Sequence, residues 1–177
     1  MKKIFIVFLA WFILAPIIGQ AQRKFSAYLQ AQYNHTIYDR TAGNNPWGMG
    51  LGLQTFYNTS SKFKPTVELT ADIYLEDDKL LRATADGKPI LDDLGGIVNL
   101  FAGASYQITP LTYVSLTGGP SFSNGRILFG IKPAFGFYFS AKQNWTGKLS
   151  FINIFNREEL THDDFGTINF SVGIKLF

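Results

Sequence analysis

The sequence predicts an all-β protein that folds as an eight-stranded antiparallel up-and-down transmembrane β-barrel. Three observations support this prediction. Eight segments alternate apolar residues with polar or small ones at a period of two, which is the pattern of strands with one apolar face. Only 16% of the residues are charged, whereas 46% are apolar and 16% are aromatic. After residue 21, no apolar run reaches the roughly 20 residues that a transmembrane helix requires.

The chain begins with a predicted secretory signal peptide at residues 1–21, which leaves residues 22–177 as the mature barrel domain. Two lysines precede an apolar stretch over residues 4–18, and the small residues Gly19 and Ala21 occupy the positions that signal peptidase reads. Removing the leader lowers the net charge from +3 to +1. The mature chain therefore lacks the basic excess that would indicate nucleic-acid binding.

The chain contains no cysteine, so a hydrogen-bonded framework rather than disulfides must hold this exported protein together. The predicted strands cover residues 25–38, 47–54, 66–76, 98–107, 113–119, 127–140, 145–154 and 167–176.

The first three segments show the alternation most clearly. Residues 25–38 place Phe, Ala, Leu, Tyr and Ile at odd positions and mostly Ser, Gln, Asn and Thr at even ones. Residues 47–54 alternate large apolar residues with glycine. Residues 66–76 place Val, Leu, Ala and Ile on one face, and Glu68 and Asp72 on the other.

The next three segments continue the pattern. Residues 98–107 and 113–119 oppose Val, Leu and Ala to Asn, Ser, Thr and Gly, and residues 127–140 carry an apolar odd face in which four of the seven residues are phenylalanine. Pro133 lies within that face. Because proline cannot donate to a strand ladder, it predicts a β-bulge there.

The last two segments differ in regularity. Residues 145–154 alternate until Ile152 and Ile154, where the pattern breaks and predicts a bulge or the end of the strand. Residues 167–176 place Ile, Phe, Val and Leu at even positions against Thr, Asn, Ser, Gly and Lys.

The polar faces favour a membrane barrel over a soluble one. A soluble barrel would turn its large apolar residues inward and carry Lys and Glu outside. Here the polar faces are mostly Gly, Ser, Thr and Tyr, which suit the narrow interior of an eight-stranded barrel, while a continuous apolar outer band suits lipid. A soluble, lipocalin-like secreted barrel is the alternative. Aromatic residues near strand ends predict interfacial girdles, formed by Trp47, Tyr57, Phe63, Phe122, Phe139, Trp145 and Phe165.

The loops predict that the N-terminus lies in the periplasm. The outer loops would then be residues 39–46, 76–96, 123–126 and 156–164, and the inner turns residues 58–64, 108–110 and 142–144. The outer loops are longer on average, as this class requires. They hold eleven acidic and six basic residues, whereas the inner side holds basic residues and no acid.

These features resemble the porin-like outer-membrane β-barrel domain family of the small OmpA/OmpX type, over the whole mature chain. The resemblance rests on the lysine-led leader, the eight alternating strands, the long second outer loop and the terminal run 168–177 that ends in Phe177. It implies residence in the cell outer membrane and contact with outer-membrane lipid and lipopolysaccharide. It also implies that the barrel assembly machinery reads Phe177 as an assembly signal.

Four charged residues on the polar strand faces predict a charge network in the lumen: Glu68, Asp72, Lys132 and Lys148. Charges in a narrow interior are costly unless they are paired. Counting residues from the inner turns predicts one pair between Glu68 and Lys148 and a second between Asp72 and Lys132. We interpret this network as a plug, with Tyr side chains filling the remaining space; a small gated pore, opened by exchange of partners, is the alternative.

The second outer loop offers a weaker functional signal. The acidic residues Glu76, Asp77, Asp78, Asp92 and Asp93 have the oxygen ligands that a hard cation prefers, but their spacing matches no calcium loop. We interpret them as a solvated loop and predict no metal site.

An outer-membrane lipid-modifying enzyme is the second alternative function, and it would need a serine or histidine positioned by a carboxylate. His35 lies on the predicted lipid face, and His162, beside Asp163, has no serine at a family-like spacing. The sequence therefore predicts a non-enzymatic protein without cofactors, with a structural or surface-interaction role towards an unidentified surface partner.

Overall fold

The protein forms a closed β-barrel in a computed structural model that describes residues 24–37, 47–74, 95–123, 125–156 and 164–177. The strands are β1 (Phe25–Thr36), β2 (Trp47–Tyr57), β3 (Phe63–Tyr74), β4 (Gly95–Thr109), β5 (Thr112–Ser123), β6 (Arg126–Tyr138), β7 (Trp145–Ile154) and β8 (Phe165–Lys175). The described residues contain no helix that is long and apolar enough to cross a membrane. The predicted leader at residues 1–21 lies outside the described residues.

The predicted fold class is confirmed. The strands follow one another in chain order, every neighbouring pair is antiparallel, and β8 pairs back with β1 from Tyr28↔Lys175 to Thr36↔Thr167. Each strand therefore has a partner on both sides. A sheet without edges satisfies its backbone hydrogen bonds internally, which a hydrocarbon environment demands.

The predicted faces of the strands are confirmed as well. In β3, for example, residues at even positions from Thr66 to Tyr74 are buried and those at odd positions are exposed. No Asp, Glu, Lys or Arg occupies an outward position in the eight described strands. The outward side chains are instead mostly apolar, many of them large, and they reach 71% exposure at Ile127. An apolar belt of this kind is stable only against lipid.

The bulge predicted at Pro133 is wrong. Pro133 pairs with Leu116 of β5, and the pairs Ile131↔Asn153 and Ala134↔Ser150 keep one register between β6 and β7. The proline leaves a gap in the pairing with β7 but inserts no extra residue.

Of the two alternatives predicted for β7, the end of the strand is confirmed, because β7 ends at Ile154, and the bulge is absent. The register with β8 is constant from Trp145↔Ile174 to Ile154↔Phe165. Ile152 and Ile154 stay on the inward face at 1% exposure each. The pattern of polar and apolar residues breaks there because the inward-facing residues are apolar. The side chains themselves continue to point alternately inward and outward.

Aromatic residues surround both ends of the outer surface. We call the end with the described turns 58–62, 110–111 and 139–144 the inner end. Six of the seven predicted girdle residues are exposed; the seventh, Phe165, is 3% exposed and points into the barrel. Its odd position in β8 places it on the inward face, so this part of the prediction is wrong.

Candidate functional site

The candidate site is the lumen, whose side chains form three layers. The aromatic layer, at the inner end, consists of Tyr28, Phe56, Tyr113 and Tyr138. The apolar cap, at the outer end, consists of Tyr74, Ile97, Phe101, Ile152, Ile154 and Phe165. Between them lies a polar layer that contains all four predicted lumen charges, each at most 2% exposed.

The aromatic layer is a closed circuit of four rings. The centroid distances are 5.8 Å for Tyr28–Phe56, 5.4 Å for Phe56–Tyr113, 5.4 Å for Tyr113–Tyr138 and 5.9 Å for Tyr138–Tyr28. Gly136 makes room for this packing, since a Cβ atom there would lie 2.0 Å from Cζ of Tyr113. The glycines of the polar strand faces thus accommodate the large inward residues opposite them.

An ion-paired triad of Glu68, Lys132 and Lys148 crosses the polar layer. Nζ of Lys132 donates to Oε1 of Glu68 at 3.1 Å, and Nζ of Lys148 donates to the same oxygen. The second oxygen, Oε2, has no hydrogen-bond partner among the described residues. The carboxylate comes from β3 and the ammonium groups come from β6 and β7, so the triad ties opposite walls of the barrel together.

Asp72 is held by neutral donors. Gln32 Nε2 and Asn34 Nδ2 donate to Oδ1 at 2.7 and 2.6 Å, and Thr70 Oγ1 and Asn99 Nδ2 donate to Oδ2 at 3.2 and 3.4 Å. Hydrogen bonds of this kind compensate a buried carboxylate for its lost water.

The structure therefore differs from the two expected ion pairs. It brings Glu68 and Lys148 together, but Lys132 pairs with Glu68 rather than with Asp72. Period-two alternation tells which face a residue occupies. It does not tell which residues meet across the lumen, because the strands of a barrel are tilted.

An amide network around Asp72 was missed in the sequence analysis. Asn169 Nδ2 donates to Gln32 Oε1 at 3.0 Å and to Asn34 Oδ1, and Ser150 Oγ donates to Asn169 Oδ1 at 3.1 Å. On the opposite wall, Ser121 Oγ donates to Asn99 Oδ1 at 2.7 Å. The signal that would have revealed it is the recurrence of Asn and Gln on inward faces of β1, β4 and β8.

The C-terminal residues continue the closure between β8 and β1. Leu176 N–H donates to the Ala27 carbonyl at 2.8 Å, and Ala27 N–H donates to the carbonyl of Phe177 at 3.1 Å. The predicted assembly signal, Phe177, thus lies two residues after the end of β8.

The residues considered for catalysis or metal binding do not form a site in the described part of the chain. His35 faces outward, with its ring centroid 4.2 Å from that of Trp47. His162, Asp163 and the loop carboxylates Glu76, Asp77, Asp78, Asp92 and Asp93 lie outside the described residues. Among the described residues, no group of three or more His, Asp and Glu side chains is placed to hold a metal ion.

Comparison by sequence finds no matching family model and no matching curated protein. Comparison by structure finds likenesses to membrane barrels. Ail, the attachment invasion locus protein of Yersinia pestis, has a TM-score of 0.56 at 12% identity over 86% of this chain and 98% of its own.

Two further structures have the same architecture. The N-terminal β-barrel domain of Pseudomonas aeruginosa OprF has a TM-score of 0.51 at 14% identity, over 85% of this chain and 97% of its own. Neisserial surface protein A has a TM-score of 0.51 at 12% identity, over 86% of this chain and 97% of its own. At these identities the likeness concerns the fold, which is that of the small eight-stranded outer-membrane β-barrels.

Proposed function

We propose that this protein is an outer-membrane β-barrel with a plugged lumen and a structural or surface-interaction role carried by its outer loops. The observation that carries the proposal is the burial of the Glu68–Lys132–Lys148 triad between the aromatic layer and the apolar cap. The triad pairs two buried ammonium groups with one carboxylate, and the layers on either side separate it from water. A lumen filled in this way favours a structural plug over a conducting path.

The unequal lengths of the connections support the surface role. The described turns of the inner end contain five, two and six residues, whereas β3 and β4 are separated by twenty residues, 75–94. In this class of barrel the longer connections face the cell exterior. The loops of that end are therefore the part of the chain that a surface partner would meet.

Conductance in planar bilayers tests the plug. We expect no channel events from the wild-type protein. The double variant Tyr113→Ala/Phe101→Ala removes one large side chain from each flanking layer, and each lies against a glycine that cannot fill the space. It should show conductance steps, whereas the lipid-face control Val114→Ala/Leu100→Ala should remain silent.

Wild-type channel events that change when Lys132 is neutralised would contradict the plug and support the gated pore. If the Tyr113→Ala/Phe101→Ala variant folds but shows no channel events, the polar layer alone closes the lumen.

Surface labelling on intact cells tests the orientation. An epitope tag inserted between residues 85 and 86 should be accessible to antibody on intact cells. The same tag between residues 141 and 142, in an inner turn, should become accessible only after permeabilisation. The reverse result would contradict the proposed orientation.

Lipid analysis tests the non-enzymatic role. Overexpression of the wild-type protein and of His162→Ala should leave the lipid A species unchanged. A change that depends on His162 would support the enzymatic alternative.

A further inference from the structure

The inner end of the barrel carries five lysines that we call the basic rim: Lys24, Lys62, Lys64, Lys142 and Lys175. They lie before β1, at the start of β3, in the β6–β7 turn and at the end of β8, so they surround much of this end. Lys24, Lys62 and Lys142 are exposed. Within its described residues, this end of the barrel has no Asp or Glu to neutralise them.

Exposed aromatic side chains lie at the same end of the barrel, and one of them is next to Lys62. Nζ of Lys62 is 6.0 Å from the ring centroid of Tyr106, which itself packs on Phe63 at 4.9 Å. Trp145, three residues after Lys142, is 50% exposed on the outer surface. Exposed aromatic rings in a membrane barrel mark the level of the lipid headgroups, and lysines beside them extend their ammonium groups towards the water. The basic rim therefore lies at the height of lipid phosphates.

The opposite end has the opposite charge balance. Its connecting segments, together with Arg126 at the start of β6, contain eleven acidic and six basic residues. The charge balance therefore favours an anionic headgroup at the inner end over the outer end.

We propose that the exposed lysines of the basic rim, Lys24, Lys62 and Lys142, bind the phosphate-bearing headgroups of anionic phospholipids in the leaflet that surrounds the inner end. Ammonium groups form charge-assisted hydrogen bonds with phosphate oxygens, and the attraction of each lysine adds to that of its neighbours within a Debye length. The proposal rests on the membrane location argued above. It goes beyond the structural role because it names a lipid partner and the residues that select it.

Two native tryptophans report on the two ends. Trp145 lies on the outer surface at the inner end and Trp47 at the outer end, and both are exposed towards lipid. The variants W11F/W47F and W11F/W145F each keep one of them. Each variant is reconstituted in phosphatidylcholine vesicles that contain a minor fraction of brominated phosphatidylglycerol, or the same fraction of brominated phosphatidylcholine. Quenching of tryptophan fluorescence then measures which lipid lies beside each end, whatever the orientation of the barrel.

We expect brominated phosphatidylglycerol to be enriched about two- to fivefold beside Trp145, with no enrichment beside Trp47. The enrichment should fall as salt is added, because the lysines are at the surface. The exposed-lysine variant Lys24→Gln/Lys62→Gln/Lys142→Gln should lose it, and the control Arg126→Gln at the outer end should keep it.

Equal quenching of both tryptophans by brominated phosphatidylglycerol would overturn the proposal, as would enrichment that survives the lysine substitutions or high salt. If the lysine variant fails to fold, the salt dependence of quenching in the otherwise native barrel and the comparison of the two tryptophans still test the proposal. Absence of quenching by brominated phosphatidylcholine at both positions would instead overturn the membrane location itself.

Discussion

At the Glu68 carboxylate, one oxygen accepts two buried ammonium groups, so the three residues do not contribute equally to stability. Glu68→Gln leaves both lysines without a counter-charge in the triad, whereas Lys148→Met leaves the one-to-one pair of Glu68 and Lys132. Removing the shared partner of buried charges costs about 3–5 kcal/mol in the free energy of unfolding. We expect Glu68→Gln to be destabilised by this amount and Lys148→Met by clearly less.

Denaturant unfolding of the folded protein in lipid vesicles measures both variants. Equal losses for Glu68→Gln and Lys148→Met would mean that the second lysine is as necessary as the carboxylate, which the shared oxygen does not explain.

Two glycines of β2, Gly50 and Gly52, provide a variant and a matched control that test how tightly the side chain of Asp72 is packed. A Cβ atom at Gly50 would lie 2.2 Å from Oδ1 of Asp72, whereas at Gly52 the nearest atom would be Cγ2 of Thr70 at 3.4 Å. Gly50→Ala must therefore displace the carboxylate from its four donors, with an expected loss of about 1–3 kcal/mol. Gly52→Ala should be neutral or raise stability by up to about 1 kcal/mol, because alanine restricts the unfolded chain. Unfolding midpoints in denaturant compare the two, and similar midpoints would contradict the steric argument.

At the scale of the strand, alternation predicts the direction of side chains but not their neighbours. In β3 the period of two places Glu68 and Asp72 correctly on the inward face. In β7 the inward residues Ile152 and Ile154 are apolar, because they belong to the apolar cap. Their side chains still point into the lumen, so the polarity pattern changes there although the side-chain direction does not. The partners of Lys132 depend on strand tilt and on residues distant in sequence, which no local pattern contains. The fold could thus be predicted almost completely, whereas in the polar layer only the four charged residues could be predicted, and not all of their partners.

On the lipid-facing side of β3, the free-energy cost of introducing a charge should depend on its depth in the bilayer. Leu69 lies midway along the strand and Phe63 at its inner end, and both are exposed on the outer surface. A lysine costs about 2–4 kcal/mol at the bilayer midplane and about 0–1 kcal/mol near the interface. We expect Leu69→Lys to lose the larger amount and Phe63→Lys the smaller one in vesicle unfolding experiments. Equal costs would show that this face of β3 does not cross the hydrocarbon.

At the scale of the molecule, the same alternation that directs apolar side chains to lipid directs polar ones to the lumen. The interior then has to be filled by residues that satisfy one another. The amide network, the ion-paired triad and the four-ring circuit meet most of this demand at successive heights without a disulfide, although Oε2 of Glu68 has no partner among the described residues. The basic rim and the acidic opposite connections add a charge difference between the two ends.

Closure of the barrel predicts heat-modifiable migration on a denaturing gel. β1 and β8 pair over nine residues, so the sheet has no edge at which detergent can begin to separate strands. An unboiled sample of the membrane fraction should migrate at a different position from a boiled one. Ala31 pairs with Leu51 of β2 and Val172 of β8, so Ala31→Pro removes a ladder donor at the closing strand and should abolish the shift. Ala31→Val keeps the backbone N–H donor and places an apolar side chain towards lipid, so this variant should still show the heat-dependent change in migration. Recovery of the wild-type protein in the soluble fraction after a carbonate wash, with no shift, would mean that the apolar faces point inward, as in a soluble lipocalin-like barrel.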